Sequence, residues 1–337
     1  MKKLFLNFIL SSRKRLFLVK KNKIFKSLEN QPNYKLIKFG DKNKNKLFYV
    51  IKRFRGGGFF SNLLFVLNHL IISDKFNSIP VVDMENFSNF YTEPNKINNT
   101  KNVWEYLFYP VSRYSLKGVY KSNNVIFSDD LFYKNMSKNY IDKKIELKKI
   151  FKKYIKIKKK YILESEDFVK KNFLKKKVLA VHWRGTDHKV LPGHPMPPTK
   201  KQIFSIVDKL IKVKKFNKIF LITEEKKNFD TFVEKYGNLV SFYKSFRTNN
   251  RKEFDNFNKK NHKFRLAKES LIEVLILSKL NYLICSRSNI SEIAVMISNK
   301  KFKIHNIDNG FNSNNLIISL FKWHFKSILP YNLGGFK

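Results

Sequence analysis

A short apolar run that ends in charged residues constrains the fold of this chain more than any other feature. Residues 178–181 (Val-Leu-Ala-Val) lead directly into His182, Arg184 and Asp187. A continuous apolar run of this length predicts a strand buried on both faces, as in a parallel sheet. Ligands of open α/β sheets bind at the carboxyl edge, where these polar side chains would lie. A guanidinium can bind phosphate oxygens in a bidentate manner, so Arg184 predicts a phosphate-bearing ligand. A structural ion pair is the alternative interpretation of this residue.

Strands and helices are predicted to alternate on both sides of this run, which is typical of α/β domains. Upstream, a strand at 46–51, a glycine turn, a helix at 61–76 and a strand at 78–83 form a βαβ pattern. Downstream, the predicted elements are helix 199–213, strand 218–223, helix 228–236, strand 240–243, helix 266–278, strand 282–285 and helix 290–297. We therefore expect two α/β domains in tandem with a cleft between them. The predicted division is a basic extension (1–43), a first domain with a lysine-rich helical linker (44–174) and a second domain (175–337).

The charge of the chain restricts its partners. Its 337 residues include 69 lysines and arginines against 26 acidic residues, a formal net charge of +43. Such a field attracts polyanions, so anionic membrane, nucleic acid and acidic glycans are all compatible with it. A hydrophobic content of 43% excludes an intrinsically disordered chain. The lysine-rich segment 143–173 has amphipathic helical spacing; a solvated face between domains is favoured, and contact with anionic lipid is the alternative.

The cysteine content and the N-terminal residues predict a cytoplasmic location. The single cysteine, Cys285, excludes an intrachain disulfide and is expected to be a small buried apolar residue rather than a nucleophile. The short apolar stretch at the start is interrupted by Asn7 and followed by basic residues, unlike a signal peptide. No segment reaches the roughly 18 uncharged residues of a membrane helix. Peripheral contact with the inner face of the membrane is a further expectation.

Three loops at predicted strand ends carry the candidate site residues of the second domain. They are the turn 182–187, the segment 223–225 and the segment 286–289. Asn289, with Glu292 three positions later, predicts a capped helix start, and the free N–H groups there suit a phosphate. Hydroxyl donors at Ser286 and Ser288 would add to this cradle.

Several classes of nucleotide and metal site are excluded by missing motifs. There is no G-x-x-x-x-G-K-[ST] loop, and Gly56–Gly58 do not form a G-x-G-x-x-G pattern. No D-x-D sequence occurs that could hold a metal on a nucleotide diphosphate. His182, His188 and His194 lie at a strand end and in a loop rich in proline and glycine, which gives no regular ligand geometry, so a zinc site is not expected.

Four segments resemble the α-1,6-fucosyltransferase family, which includes the nodulation-factor enzymes of rhizobia and is related to the protein O-fucosyltransferases. Residues 182–189 (HWRGTDHK) are similar to the family's H-V-R-R-T-D-K motif. Residues 219–225 (IFLITEE) are similar to its F-L-A-T-D-D segment, and residues 271–289 to its aspartate-bearing helix and C-T-F-S-S loop. Residues 56–62 (GGGFFSN) resemble the glycine-rich turn that opens the family's first domain. The order and spacing of these matches make the combination specific.

The resemblance implies an α/β fold of the GT-B type, in which two Rossmann-like domains face a cleft. The second domain would bind a GDP-sugar donor, usually GDP-fucose, without a metal ion or other cofactor, and the first would face the acceptor. Arg184 would hold the β-phosphate, while His182 and Glu273 would contact the guanine or the ribose. The remaining implied donor contacts are Gly58, Asn62, Glu224, Ser288 and Asn289, the last two to phosphate.

This chain departs from the family motif where the catalytic base is expected. The family's second arginine is Gly185, its lysine position is His188, and the glutamate expected four residues later is Pro192. Asp187 and His188 are the candidate bases, since an unperturbed imidazole suits proton removal near neutral pH. His194, in a loop rich in proline and glycine, is a third candidate.

The sequence therefore predicts an inverting, metal-independent glycosyltransferase that moves fucose from GDP-fucose to a glycan acceptor such as a bacterial surface polysaccharide. One alternative is a glycosyltransferase with a different nucleotide sugar. Another is a non-catalytic basic protein that binds nucleic acid. The basic residues are spread along the chain and no nucleic-acid-binding motif occurs, so a nucleic-acid partner is not expected.

Overall fold

The computed structural model describes residues 36–53, 57–128, 140–250 and 260–337, with the backbone alone described at 140–144 and 186–187. The chain divides into two compact units, Met1–Lys158 and Lys159–Lys337. The predicted boundary after residue 174 differs from this division, because helix Lys159–Phe173 packs on helix His262–Ser278 within the second unit. Residues 1–35 of the predicted extension lie outside the described residues.

The first unit contains a four-stranded mixed sheet. Strand β2 pairs in parallel with β3 and β4, and β1 pairs antiparallel with β4, giving the order β1-β4-β2-β3. Helix α1 connects β2 to β3 and completes the predicted βαβ unit. The elements are β1 (Leu36–Ile37), β2 (Lys42–Lys52), α1 (Phe59–Lys75), β3 (Ile79–Asp83), α2 (Trp104–Leu107), α3 (Leu116–Val119), β4 (Ser122–Phe127) and α4 (Tyr140–Tyr154).

The second unit contains a five-stranded sheet in which every pairing is parallel. The strand order is β7-β6-β5-β8-β9, so the chain moves outward from β5 to one edge and then crosses to the other side. This is the doubly wound order of Rossmann-type domains. The elements are α5 (Lys159–Phe173), β5 (Val178–His182), α6 (Lys200–Lys214), β6 (Lys218–Ile222), α7 (Lys226–Tyr236), β7 (Val240–Ser241), α8 (His262–Ser278), β8 (Tyr282–Cys285), α9 (Asn289–Ile297), β9 (Lys303–Asn306) and α10 (Leu316–Ile328).

Helices cover both faces of this sheet, which explains why the central strands read as continuous apolar runs. All five residues of β5 are buried. On one face, Leu179 and Val181 pack in a cluster with residues of α6 and α7. On the opposite face, Phe220 of β6 contacts the rings of Phe168 and Phe173 in α5. The side chains therefore alternate between two helical layers.

The predicted α/β class with two largely parallel sheets is confirmed, while the placement of the two units around a cleft stays a prediction. The strand predicted at 240–243 is wrong in length, since β7 ends at Ser241. Among the described elements, strands β1, β4 and β9 and helices α2, α3 and α10 were not predicted. Within the described ranges, no helix is both long enough and apolar enough to cross a bilayer.

Candidate functional site

The neighbouring strands β5 and β8 bring two of the predicted site loops together. His182 and Cys285, the last residues of these strands, are paired in register. The chain leaves β5 toward β6 and leaves β8 toward β9, on opposite sides of the sheet. Such a switch point opens a crevice at the carboxyl edge, and ligands of doubly wound domains bind there.

The His182 imidazole links the end of β5 to the helix that follows β8. Its Nδ1 lies 2.8 Å from the hydroxyl oxygen of Ser291 in α9, and its side chain is fully buried. The Nε2 atom is buried without a hydrogen-bond partner among the described residues, as is Thr223 Oγ1 after the end of β6. Buried polar atoms of this kind are rare unless a water or ligand completes them.

Burial lowers the pKa of His182 to about 4, so this imidazole is neutral near pH 7. The charge of Glu224 opposes this shift, and the charges of Arg184 and His188 add to it. Four of the predicted site residues are therefore close enough to interact electrostatically. A neutral imidazole can bind a polar ligand group without adding charge to the site.

Arg184 takes part in an ion pair, the alternative that the sequence left open. Its Nε lies 3.4 Å from Oε1 of Glu224, and the backbone N–H of Gly185 donates to the same oxygen at 3.1 Å. Glu224 therefore ties the loop after β6 to the loop after β5. The ion pair is longer than the 2.7–2.9 Å of a strong charge-assisted hydrogen bond. The Arg184 side chain stays 22% exposed.

Gly185 provides space for a neighbouring carboxylate. A Cβ at Gly185 would overlap Oε2 of Glu225 and lie 2.9 Å from Nδ2 of Asn228. Lys189 Nζ contacts both oxygens of Glu225, at 2.7 and 2.9 Å. A buried, paired carboxylate thus occupies the position that any side chain at 185 would take.

The candidate bases lie on a single 3₁₀ turn, residues 186–189, and the loop that follows it. The side chain of Asp187 lies outside the described residues. The His188 and His194 rings are 5.2 Å apart in an edge-to-face arrangement. Nδ1 of His194 lies 2.9 Å from the carbonyl oxygen of Pro192, and this contact orients the exposed ring.

The predicted cap of the helix after β8 is wrong by one residue. Ser288 is the N-cap of α9, where its hydroxyl accepts a bond from the N–H of Ile290 at 3.3 Å, and Asn289 is the first helical residue. Glu292 is therefore four residues past the cap, and no capping box forms. Burial raises the pKa of Cys285, just before this loop, to about 11, which agrees with its predicted packing role.

Glu273 of α8 lies in a buried polar cluster after β7. Its Oε1 accepts a bond from Ser245 at 2.7 Å, and Glu269 accepts one from the N–H of Phe246 at 2.8 Å. Arg247 donates to the carbonyl oxygens of Ser245 and Tyr243, at 2.9 and 3.0 Å. Burial raises the pKa of Glu273 to about 7, although Ser245 and Arg247 act in the opposite direction. This carboxyl can therefore gain or lose a proton near neutral pH.

Gly58 and Asn62 belong to the first unit, and their part in a donor site stays a prediction. Gly58 precedes α1, and its carbonyl oxygen accepts bonds from the N–H groups of Ser61 and Asn62. The buried Asn62 accepts a bond from Arg53 Nε at 3.3 Å.

Three further polar residues of the candidate site were not predicted: Ser291, Ser245 and Arg247. Ser291 contacts a residue 109 positions earlier, so no local pattern could indicate it. Ser245 and Arg247 stand in a polar loop without periodicity. Within the described ranges, no group of three or more His, Cys, Asp or Glu side chains could hold a metal ion.

Comparisons with known proteins give matches among solved structures alone: no protein-family model matches the chain, and no curated protein matches its sequence. The chain is similar to NodZ α-1,6-fucosyltransferase co-crystallised with GDP, at 15% identity and a TM-score of 0.49, over 78% of this chain and 96% of that one. For fucosyltransferase NodZ from Bradyrhizobium the identity is 13%, the TM-score 0.46 and the coverage 75% and 94%. For POFUT1 in complex with GDP they are 12%, 0.37, and 79% and 74%. The chain is thus structurally similar to these fucosyltransferases at low sequence identity.

Proposed function

We propose that this chain is a glycosyltransferase that transfers a sugar, fucose, from a GDP donor to a glycan acceptor. The observation that carries the proposal is the switch point between β5 and β8, where His182 at the end of β5 contacts Ser291 near the start of α9 and Arg184 follows in the loop after β5. The ordered resemblance of four sequence segments to fucosyltransferases supports GDP-fucose as the donor. The cytoplasm and a bacterial surface polysaccharide are the compartment and the acceptor that we propose with it.

The donor diphosphate would lie between Arg184 and the N-terminus of α9. The first N–H groups of a helix and its partial positive charge favour an anion, and the Ser288 hydroxyl can donate while its oxygen serves as the cap. A guanidinium has five N–H donors, so Arg184 can contact the Glu224 carboxylate and a phosphate at the same time. The buried Nε2 of His182 would complete its hydrogen bonding with the guanine or the ribose.

In the proposed reaction, a base on the 186–189 turn removes the proton of the acceptor hydroxyl. The resulting oxygen attacks the anomeric carbon, and the bond from that carbon to the β-phosphate oxygen breaks with inversion of configuration. Negative charge then develops on the departing GDP, where Arg184 and the N–H groups at the start of α9 would stabilise it. His188 and Asp187 remain the candidate bases, and the metal-independent mechanism remains part of the proposal.

Replacement of Arg184 by alanine tests this assignment. Loss of a charge-assisted contact to the diphosphate should lower turnover of GDP-fucose about a hundredfold or more, by analogy with single oxyanion donors. The control is Arg113→Ala, which removes an exposed arginine of the first unit. Calorimetric titration with GDP would measure affinity, and release of GDP would measure turnover. Wild-type affinity and turnover in Arg184→Ala would contradict the proposal.

A panel of donors separates the alternatives. Tighter binding of UDP- or CMP-sugars than of GDP-sugars would favour a different nucleotide sugar. A nucleic-acid-binding protein would instead show no response to GDP and a steep loss of nucleic-acid affinity as salt increases.

A further inference from the structure

Helix α10 turns an apolar face outward. Its 13 residues (LIISLFKWHFKSI) include seven large apolar side chains that are between 42% and 70% exposed. At a rotation of about 100° per residue, they cover an arc of roughly 200° of the helix surface, and Ser319 lies outside this arc. The seven residues are Leu316, Ile317, Ile318, Leu320, Phe321, Phe325 and Ile328. We call this surface the α10 face.

The opposite side of α10 attaches the helix to the second unit through hydrogen bonds. Ser319 is fully buried, and its hydroxyl donates to the carbonyl oxygen of Val190 at 2.8 Å. Trp323 Nε1 donates to Pro197 at 2.8 Å, and Lys322 Nζ donates to a backbone oxygen in the preceding loop at 2.9 Å. Surface helices normally bury their apolar stripe. This helix has the reverse arrangement, and an exposed apolar patch of this kind marks an interaction surface.

The charge of the C-terminal segment that contains α10 distinguishes between possible partners. Residues 300–337 contain six lysines and one acidic residue, Asp308, within a chain of net charge +43. Two copies of so basic a chain repel each other, which disfavours a dimer through this face. An anionic bilayer instead attracts the lysines and has an apolar layer for the outward side chains.

We propose that the α10 face seats the protein on an anionic membrane surface, with the helix lying in the plane of the headgroups. The helix is about 20 Å long and carries phenylalanine, leucine and isoleucine on one side, as interfacial helices do. The lysine-rich helices α4 and α5 offer a smaller apolar surface, because among their described residues only Ile145 and Leu163, one in each helix, are large apolar side chains that are exposed. The membrane contact therefore belongs to α10.

Flotation with lipid vesicles tests the proposal on the full chain. Wild-type protein should float with vesicles of phosphatidylcholine and phosphatidylglycerol and less with phosphatidylcholine alone. The affinity of the variant Phe321→Ser/Phe325→Ser for these vesicles should be lower by about tenfold or more, because the burial of one phenylalanine side chain contributes about that factor. The matched control Leu174→Ser/Val213→Ser removes two exposed apolar side chains elsewhere in the second unit and should float as wild type does.

Three outcomes would overturn the proposal. They are absence of wild-type flotation, equal flotation of the phenylalanine variant and wild type, and an equal loss in the control variant. Sedimentation without lipid measures the oligomeric state. If wild-type protein does not float but forms a dimer that the phenylalanine variant does not form, the α10 face is a self-association surface. The unfolding temperatures of both variants should equal that of wild type, since all four side chains are exposed. Flotation needs no donor or acceptor, so its failure would leave the proposed transferase activity standing.

Discussion

Replacement of Glu273 by glutamine should stabilise the second unit, and increasingly so as the pH rises. Burial raises the pKa of this carboxyl from 4.5 to about 7. Between these values the folded chain holds a proton that the unfolded chain has lost. The contribution of Glu273 to stability is therefore full below about pH 4.5 and lost as the pH rises through about 7. Glutamine keeps an oxygen for the bond from Ser245 and cannot ionise.

The size of this effect follows from the pKa difference of about 2.5 units. At 1.36 kcal/mol for each unit, the variant should gain about 3 kcal/mol at pH 8 relative to wild type and close to nothing below about pH 4.5. For a unit of this size, about 3 kcal/mol corresponds to roughly 6–12 °C in unfolding temperature. Scanning calorimetry across this pH range measures it, with Glu234→Gln on the exposed side of α7 as the control for charge.

A variant that is less stable than wild type at pH 8, or a gain that does not change with pH, would refute the reasoning. Either result would mean that Arg247 and Ser245 keep Glu273 ionised in the folded chain. The same substitution should weaken GDP binding if the ionised carboxylate contacts the guanine or the ribose, as the resemblance to fucosyltransferases implies. A gain in stability with a loss of affinity would then show that the buried charge is retained for binding.

Substitutions at Gly185 and at Ser288 test the packing of the site. Gly185→Ala should lower the free energy of unfolding by about 1–3 kcal/mol, because its Cβ would overlap the Glu225 carboxylate. Urea unfolding would measure this loss. The double variant with Glu225→Ala should lose less free energy of unfolding than the sum of the losses in the two single variants. A strictly additive loss would contradict the overlap. Ser288→Ala should cost about 1 kcal/mol as a lost cap, whereas Ser288→Gly should cost a few tenths. GDP affinity should fall about tenfold or more in both variants if the hydroxyl contacts phosphate, and unchanged affinity would remove Ser288 from the donor site.

The sheet of the second unit could be predicted from the sequence because its strands are buried on both faces. Val178–His182 and Tyr282–Cys285 are short apolar runs, and helices separate all of the predicted strands. All four residues of the edge strand β9 are exposed, so no hydrophobic pattern in the sequence indicates a strand there. Its backbone pairing with β8 is what makes it a strand. Helix α10 has apolar residues toward solvent, which reverses the rule by which a helix face is assigned.

The grouping of the site loops could also be predicted, because parallel strands end at one edge of the sheet. Which side chains pair within that group could not. The contacts of Arg184 with Glu224 and of Lys189 with Glu225 join positions more than thirty residues apart. Their choice depends on side-chain packing, in particular on the space that Gly185 leaves open.

The central position of β5 has a consequence for synthesis of the chain on the ribosome. This strand emerges first among the five strands of its sheet, and β8, one of the two strands that pair with it, follows about a hundred residues later. At typical elongation rates of about 5–20 residues per second, the edge of β5 that pairs with β8 stays unpaired for at least several seconds. The crevice that would take the donor therefore forms late during translation, and nascent chains that stop short of α9 lack the serine that orients the buried imidazole.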